Sequence, residues 1–155
     1  MSTAITTIIL QVTSSVFKEN EFIPEKYTCE KENINPPIEI KDIPENCKSL
    51  ALIVDDPDAP GTRPFVHWVM WNIDPATQLI SENTSPGIQG INGESKNEYK
   101  GPCPKFGKEH HYHFKVFALD TMLDIPNNSG KELLEDAMKD HIIARGGLIG
   151  LYGKV

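Results

Sequence analysis

Ser49-Leu50-Ala51-Leu52-Ile53-Val54-Asp55-Asp56-Pro57-Asp58 is the stretch on which the fold turns. Its first six residues are apolar or small, without the polar alternation of a half-solvated strand. Such a run reads as a strand buried on both faces. Ionised carboxylates are costly to bury without partners, so Asp55, Asp56 and Asp58 mark the open end of that strand.

On either side, most segments also read as strands. Residues 6–12 are β-branched and apolar, and Phe65 to Ile73 and Tyr112 to Leu119 carry aromatics and valines throughout. A short last strand is expected from Leu148 to Tyr152. One helix is signalled by Ser129 and Glu132 at capping-box spacing. Leu134, Ala137, Met138, His141 and Ile142 follow at helical intervals, and Gly146-Gly147 reads as its stop. Met138 and His141 read as core packing or its rim.

Residues 81–108 are rich in glycine and proline, with a tight-turn signal at Asn92-Gly93. A long irregular loop of that kind inside a compact domain is usually functional or mobile. Strands with one or two short peripheral helices predict a mainly β, antiparallel sandwich-like fold, in a single domain over residues 1–155.

Composition narrows the function. The 155 residues are 39% hydrophobic and 24% charged, which is ordinary for a globular domain. A formal net charge of -7 argues against nucleic acid or an anionic membrane surface as the main partner. No apolar run approaches the about 20 residues that span a bilayer, and the N-terminus lacks the basic region of a signal peptide. Cys29, Cys47 and Cys103 are odd in number and lack metal spacing. Reduced thiols in a cytoplasmic protein are the simplest account, with one disulfide and a free thiol as the alternative in an oxidising compartment.

Three clusters sit where strands meet loops. The first is Asp55-Asp56-Pro57-Asp58-Ala59-Pro60, which serves equally well as a polar turn. The second is Phe65-Val66-His67-Trp68. Strict alternation places Phe65, His67, Val69 and Trp71 on one face, with Val66, Trp68 and Met70 on the other. The third is Gly101-Pro102-Cys103-Pro104, followed by His110-His111-Tyr112-His113. Strand periodicity separates His110 and Tyr112 from His111 and His113, so these three histidines do not converge on one metal ion. Asp56, His67, His110 and Tyr112 come from strand ends and can meet in a pocket whose imidazole and phenol donors suit a small anion.

These clusters, in this order, resemble the two signature regions of the phosphatidylethanolamine-binding (Raf kinase inhibitor-like) family. The first region is Asp56-Pro57-Asp58-Ala59-Pro60 with Val66-His67-Trp68, and the second runs from Gly101-Pro102-Cys103-Pro104 to His110-His111-Tyr112-His113-Phe114. Upstream, residues 23–29 and Asn33-Ile34-Asn35-Pro36-Pro37 look like the bacterial and archaeal branch. The resemblance implies a central sheet with a smaller second sheet and an anion pocket at one end. It places Asp56, Asp58, His67, His110 and Tyr112 in that pocket, with Gly101 and Pro102 as its loop wall. It implies no cofactor and no metal, and a homodimer is compatible with it. Departures from the family pattern are Lys31 for glycine, Lys105 for proline, a loop lengthened at Lys108-Glu109, and His111 for arginine. The chain also stops at Val155 without the longer C-terminal helix of eukaryotic members, which weighs against kinase inhibition.

The expected function is therefore a cytoplasmic, non-enzymatic binding protein for a small anionic or phosphorylated ligand. His67 and His110 would donate to the ligand, Tyr112 would fix it, and Asp56 would hold an imidazole. A reference histidine pKa of about 6.5 predicts tighter anion binding at lower pH. Two alternatives use the same pocket. One is a phosphate-ester hydrolase, for which Cys103 is the nearest nucleophile. The other is an interaction module that anchors a phosphorylated segment of a protein partner.

Overall fold

The apolar run forms β4 (Ser49–Asp56), and each of its eight residues is buried. In the computed structural model, which describes residues 8–105 and 107–153, it lies between β5 (Phe65–Ile73) and β8 (His110–Leu119). β9 (Ile142–Tyr152), β1 (Ile8–Ile9) and β7 (Ile88–Gln89) complete a six-stranded sheet in the order β1-β9-β8-β4-β5-β7. β2 (Gln11–Thr13), β3 (Ile38–Lys41) and β6 (Leu79–Ile80) form a second sheet of three antiparallel strands. The mainly β, two-sheet architecture follows the sequence reading. The larger sheet is antiparallel except at its edge, where β1 runs parallel to β9.

Burial on both faces of β4 has a simple cause. Leu50, Leu52 and Val54 join Trp68, Met70, Phe114 and Val116 in a core shared with Ile38 and Ile40 of the small sheet. Ala51 and Ile53 face the other way, packing with Val69, Trp71 and Phe117 against Leu134 and Met138 of α1 (Lys131–Met138). Fully burying a Leu, Ile or Val side chain contributes about 1.5–3 kcal/mol, so this strand anchors both layers.

Three expectations need correction. The strand expected over residues 6–12 is two short strands in different sheets, with Leu10 at the crossover and Thr6 and Thr7 outside the described residues. The helix ends at Met138, well before Gly146. Asp140 takes a positive φ of 67° just past it, and Gly146 and Gly147 lie inside β9. The capping box also does not form. Gly130 is the N-cap and makes no side-chain cap, Glu132 pairs with Arg63, and the buried Ser129 hydroxyl has no partner.

The cysteines differ as well. Cys29 and Cys103 form a disulfide with Cα atoms 5.4 Å apart, while Cys47 remains a buried thiol. Reduced thiols throughout were the simpler expectation. The chain brings residues 74 positions apart into bonding range because residues 27–29 pack against the loop at residues 101–103.

Candidate functional site

Pro57 follows Asp56 directly, and the Asp56 side chain closes a tight Asx turn, its Oδ1 accepting the Asp58 N–H at 2.8 Å. The other carboxylate oxygen, Oδ2, accepts the His110 Nδ1–H at 2.6 Å, and the Asp56 side chain is only 5% exposed. His110 opens β8, so the first histidine of the strand is fixed by the end of β4. With Nδ1 committed to Asp56, the Nε2 atom of His110 is the one free to meet a guest.

His67 reaches the same place by an irregularity that alternation does not foresee. Asp55 pairs with Val66 and Val54 pairs with Trp68, so His67 is the extra residue of a β-bulge. A bulge re-aims a side chain, and here it puts His67 on the face of Tyr112 while Val69 and Trp71 point to the opposite layer. The sequence expectation that His67 shares a face with Val69 and Trp71 is therefore wrong. The His67 ring packs edge-on to Phe65 and Tyr112, with centroids 4.9 and 5.2 Å away. Its Nδ1–H donates to the Lys100 carbonyl at 2.6 Å. Burial lowers its pKa below the usual histidine value, against the opposing pull of the Lys100 carbonyl and Asp56.

Tyr112 sits beside both histidines, stacked on His110 with centroids 6.2 Å apart. Burial, with Asp56 as the next contributor, raises its pKa far above the tyrosine norm. Its hydroxyl therefore stays protonated, and it makes no hydrogen bond among the described residues.

Asp56, His67, His110 and Tyr112 together line a cavity of about 350 Å³. Its other walls are Ala59, Pro60, Phe65, Lys100, Cys103, Pro104 and Lys105. A groove of about 540 Å³ by α1 and a hollow of about 680 Å³ by β3 are wider, but neither brings a histidine to its wall. Among the described residues no group of acids, histidines and cysteines is placed to hold a metal ion.

The expected site residues divide. Asp56, His67, His110 and Tyr112 converge, as the sequence suggested. Asp58 stands behind them, accepting both the backbone N–H and the Nδ1–H of His111 at 2.7 Å. The His111 backbone N–H is the main reason its carboxyl pKa is lowered. Gly101 and Pro102 do not line the cavity; they are buried behind its wall, where the Gly101 N–H donates to Asn33 Oδ1 at 2.8 Å. Sequence reasoning missed Phe65, Lys100 and Lys105 as lining residues. The position of Lys105, where family members often carry proline, was the one available signal.

The sequence pattern of the phosphatidylethanolamine-binding proteins matches residues 13–153. The chain belongs to that family. Among this family member's relatives, a UPF0098 protein of Pyrococcus horikoshii is 50% identical over 149 residues, which cover 90% of this chain and 74% of the relative. A UPF0098 protein of Chlamydia muridarum is 39% identical, covering 92% and 98%. The crystal structure of a phosphatidylethanolamine-binding protein homolog of Chlamydia trachomatis superposes with a TM-score of 0.90 at 37% identity, covering 96% of this chain and 100% of that one. YbcL of E. coli, described as a new member of the mammalian family, gives 0.88 at 30% identity, with 94% and 99% covered. The bacterial and archaeal branch expected from the sequence is where these relatives fall.

Proposed function

We propose that this family member binds a small phosphorylated anion in the His67–His110–Tyr112 cavity and does not turn it over. The observation that carries the reading is the convergence of the Asp56-oriented His110 ring with His67 and the Tyr112 hydroxyl, which has no partner among the described residues, in a cavity also lined by Lys105 and by Lys100, whose ammonium pairs with Glu94. Anions are held by such N–H, O–H and ammonium donors, and a cavity of about 350 Å³ is at the scale of small-ligand sites. Absence of turnover is supported by the state of Cys103. As half of a disulfide it has no thiolate to offer, and among the described residues no serine lines the cavity.

Among the described residues no helix is long and apolar enough to cross a membrane. A cytoplasmic location is part of this reading only for a cytosol that tolerates disulfides, as those of hyperthermophilic archaea do.

The test is a calorimetric titration with phosphate and O-phosphoethanolamine, repeated on His67→Ala/His110→Ala. Saturable binding that the double variant loses supports the site. Equal heats for both chains overturn it, and phosphate release from a panel of phosphomonoesters overturns the absence of turnover.

The pH dependence carries a definite sign. Neutral His67 donates its only N–H to Lys100, so its Nε2 becomes a donor to an anion only on protonation. Because burial lowers its pKa, that protonation falls below about pH 6.5. Sulfate, whose charge is constant over this range, should bind progressively more tightly from about pH 6.5 down to about pH 5. The trend should shrink in His67→Ala and vanish in His67→Ala/His110→Ala, because His110 also spends its Nδ1–H on a protein acceptor. Without ligand the sign reverses for stability. The charged ring is disfavoured in the fold, so the His67 contribution is intact above about pH 6.5 and is lost as pH falls through the lowered pKa.

A further inference from the structure

We propose that the Cys29–Cys103 disulfide is a thiol-exchange site that sets the affinity of the anion cavity, the oxidised chain holding its ligand and the reduced chain releasing it. The proposal rests on the binding reading above and adds its regulation.

Cys103 is at once half of the disulfide and part of the cavity wall. The wall is firmly held up to Pro102. Lys100 exchanges hydrogen bonds with His67, its N–H reaching the His67 carbonyl at 2.9 Å and its own carbonyl accepting from the ring at 2.6 Å. Gly101 is tied to Asn33, and the Pro102 carbonyl accepts the Cys29 N–H at 3.2 Å. Beyond Pro102 these ties stop. Among the described residues, 103–105 and 107–109 make no hydrogen bond or ion pair with the rest of the chain. Pro102 and Pro104 have no backbone N–H to offer. The stretch Cys103-Pro104-Lys105, which closes one side of the cavity, is therefore tied to the body by the bond to Cys29 and by the burial of Pro104, with no hydrogen bond to add to them among the described residues.

A cross-link of this kind restricts the conformations open to the segment it holds. With the bond intact, the wall is in place before the ligand arrives. With it broken, the ordering of residues 103–105 and 107–108 falls on the binding step, and affinity drops by the corresponding factor.

The exchange chemistry is that of a dithiol reductant. Its thiolate attacks Cys103 Sγ, the more exposed of the two positions, forming a mixed disulfide while the Cys29 thiolate leaves and takes up a proton. The second thiol of the reductant then displaces Cys103, which is also protonated. The protein gains two electrons and two protons, and the reductant ends as its own disulfide. Lys105, exposed two residues from Cys103 on the same cavity wall, favours an approaching thiolate, whereas the Lys100 ammonium is already paired with Glu94 at 3.2 Å.

Return to the oxidised state is unambiguous because the third cysteine cannot compete. Cys47 is buried, donates to the Ser49 carbonyl at 3.2 Å, and has its thiol pKa raised by burial. Linkage adds a reciprocal effect. A bound anion that favours the ordered wall must oppose reduction at equilibrium to the extent that reduction weakens binding.

The test uses the full chain in three forms: oxidised, reduced with dithiothreitol, and reduced then reoxidised. A Cys29→Ser/Cys103→Ser variant serves as a permanently open form. Each is titrated with inorganic phosphate by calorimetry, and amide hydrogen exchange is followed without ligand. We expect roughly tenfold weaker phosphate binding on reduction, recovery on reoxidation, and faster exchange centred on residues 103–105 and 107–108. Saturating phosphate should also shift the equilibrium with dithiothreitol toward the intact bridge by the same factor. Equal phosphate affinity in the oxidised and reduced chains overturns the switch. If no form binds phosphate, the binding reading is overturned, and loop exchange then decides the rest. Faster exchange on reduction keeps the bridge as the fastening of the wall, and unchanged exchange removes that role too.

Discussion

Gly146→Ala is expected to destabilise the fold by about 3 kcal/mol, whereas Gly147→Ala next to it should change stability by less than about 1 kcal/mol. A Cβ on Gly146 would lie 2.1 Å from the Leu10 carbonyl oxygen and 2.8 Å from the Leu10 carbonyl carbon. Both are backbone atoms at the crossover between β1 and β2, and the Leu10 N–H donates to the Arg145 carbonyl at 2.9 Å. The clash therefore has to be relieved by moving the crossover. That costs about 1–3 kcal/mol for overpacking and about 1 kcal/mol for the hydrogen bond. Leu10 is 2% exposed in the core between the sheets, so it cannot shift without opening that core. Gly147 is different: it is exposed, and the nearest atom to its added Cβ is the Phe114 carbonyl oxygen at 3.3 Å. Thermal unfolding of the two variants checks this. At about 2–4 °C per kcal/mol for a chain of this size, Gly146→Ala should lower Tm by about 6–12 °C. Equal Tm values would mean that the crossover is not the constraint.

The same glycine pair shows where sequence reading works and where it fails. Two adjacent glycines after a helical stripe are a sound stop signal, yet here their role is set by a strand that crosses from a distant part of the chain. Contacts of that kind leave no local trace. The same holds for Cys29 and Cys103, whose pairing depends on residues 27–29 packing against residues 101–103 rather than on any spacing in the sequence. β4, by contrast, was legible because its burial on both faces requires an unbroken apolar run, and the aspartates at its end require an exit from the core. The division of β8 into His110 and Tyr112 on one face, with His111 and His113 on the other, was legible for a similar reason. Its pairing with β9 is unbroken over residues 110–118, and its pairing with β4 over residues 113–119. On β5 the alternation fails at His67, because one extra residue is accommodated opposite Val54 and Asp55. Asp58, Gly101 and Pro102, expected in the pocket and its wall, do not line the cavity. They serve it from behind, by holding His111 and the loop wall.

Tyr112→Phe should weaken phosphate binding by roughly tenfold to 150-fold while leaving the stability of the ligand-free chain within about 0.5 kcal/mol of wild type. The separation of the two effects follows from the geometry. The ring, 1% exposed between His67 and His110, packs identically in both chains, so the hydrophobic contribution is kept. The hydroxyl makes no hydrogen bond to the described residues, so its removal strands no protein partner. A bound anion, however, loses a neutral donor whose proton is secured by the raised pKa. A hydrogen bond to a charged group contributes about 1.5–3 kcal/mol, and about 1.4 kcal/mol corresponds to a factor of ten in affinity. Lys105→Ala is the necessary contrast. Its ammonium is exposed on the rim, so its effect should be smaller and should fade as salt is added, whereas the Tyr112→Phe loss should persist at high salt. Calorimetry of both variants at two ionic strengths distinguishes an anion seated against Tyr112 from one held loosely by Lys105 at the rim. Unchanged affinity in Tyr112→Phe with a large, salt-sensitive loss in Lys105→Ala would move the ligand out of the cavity and onto its rim.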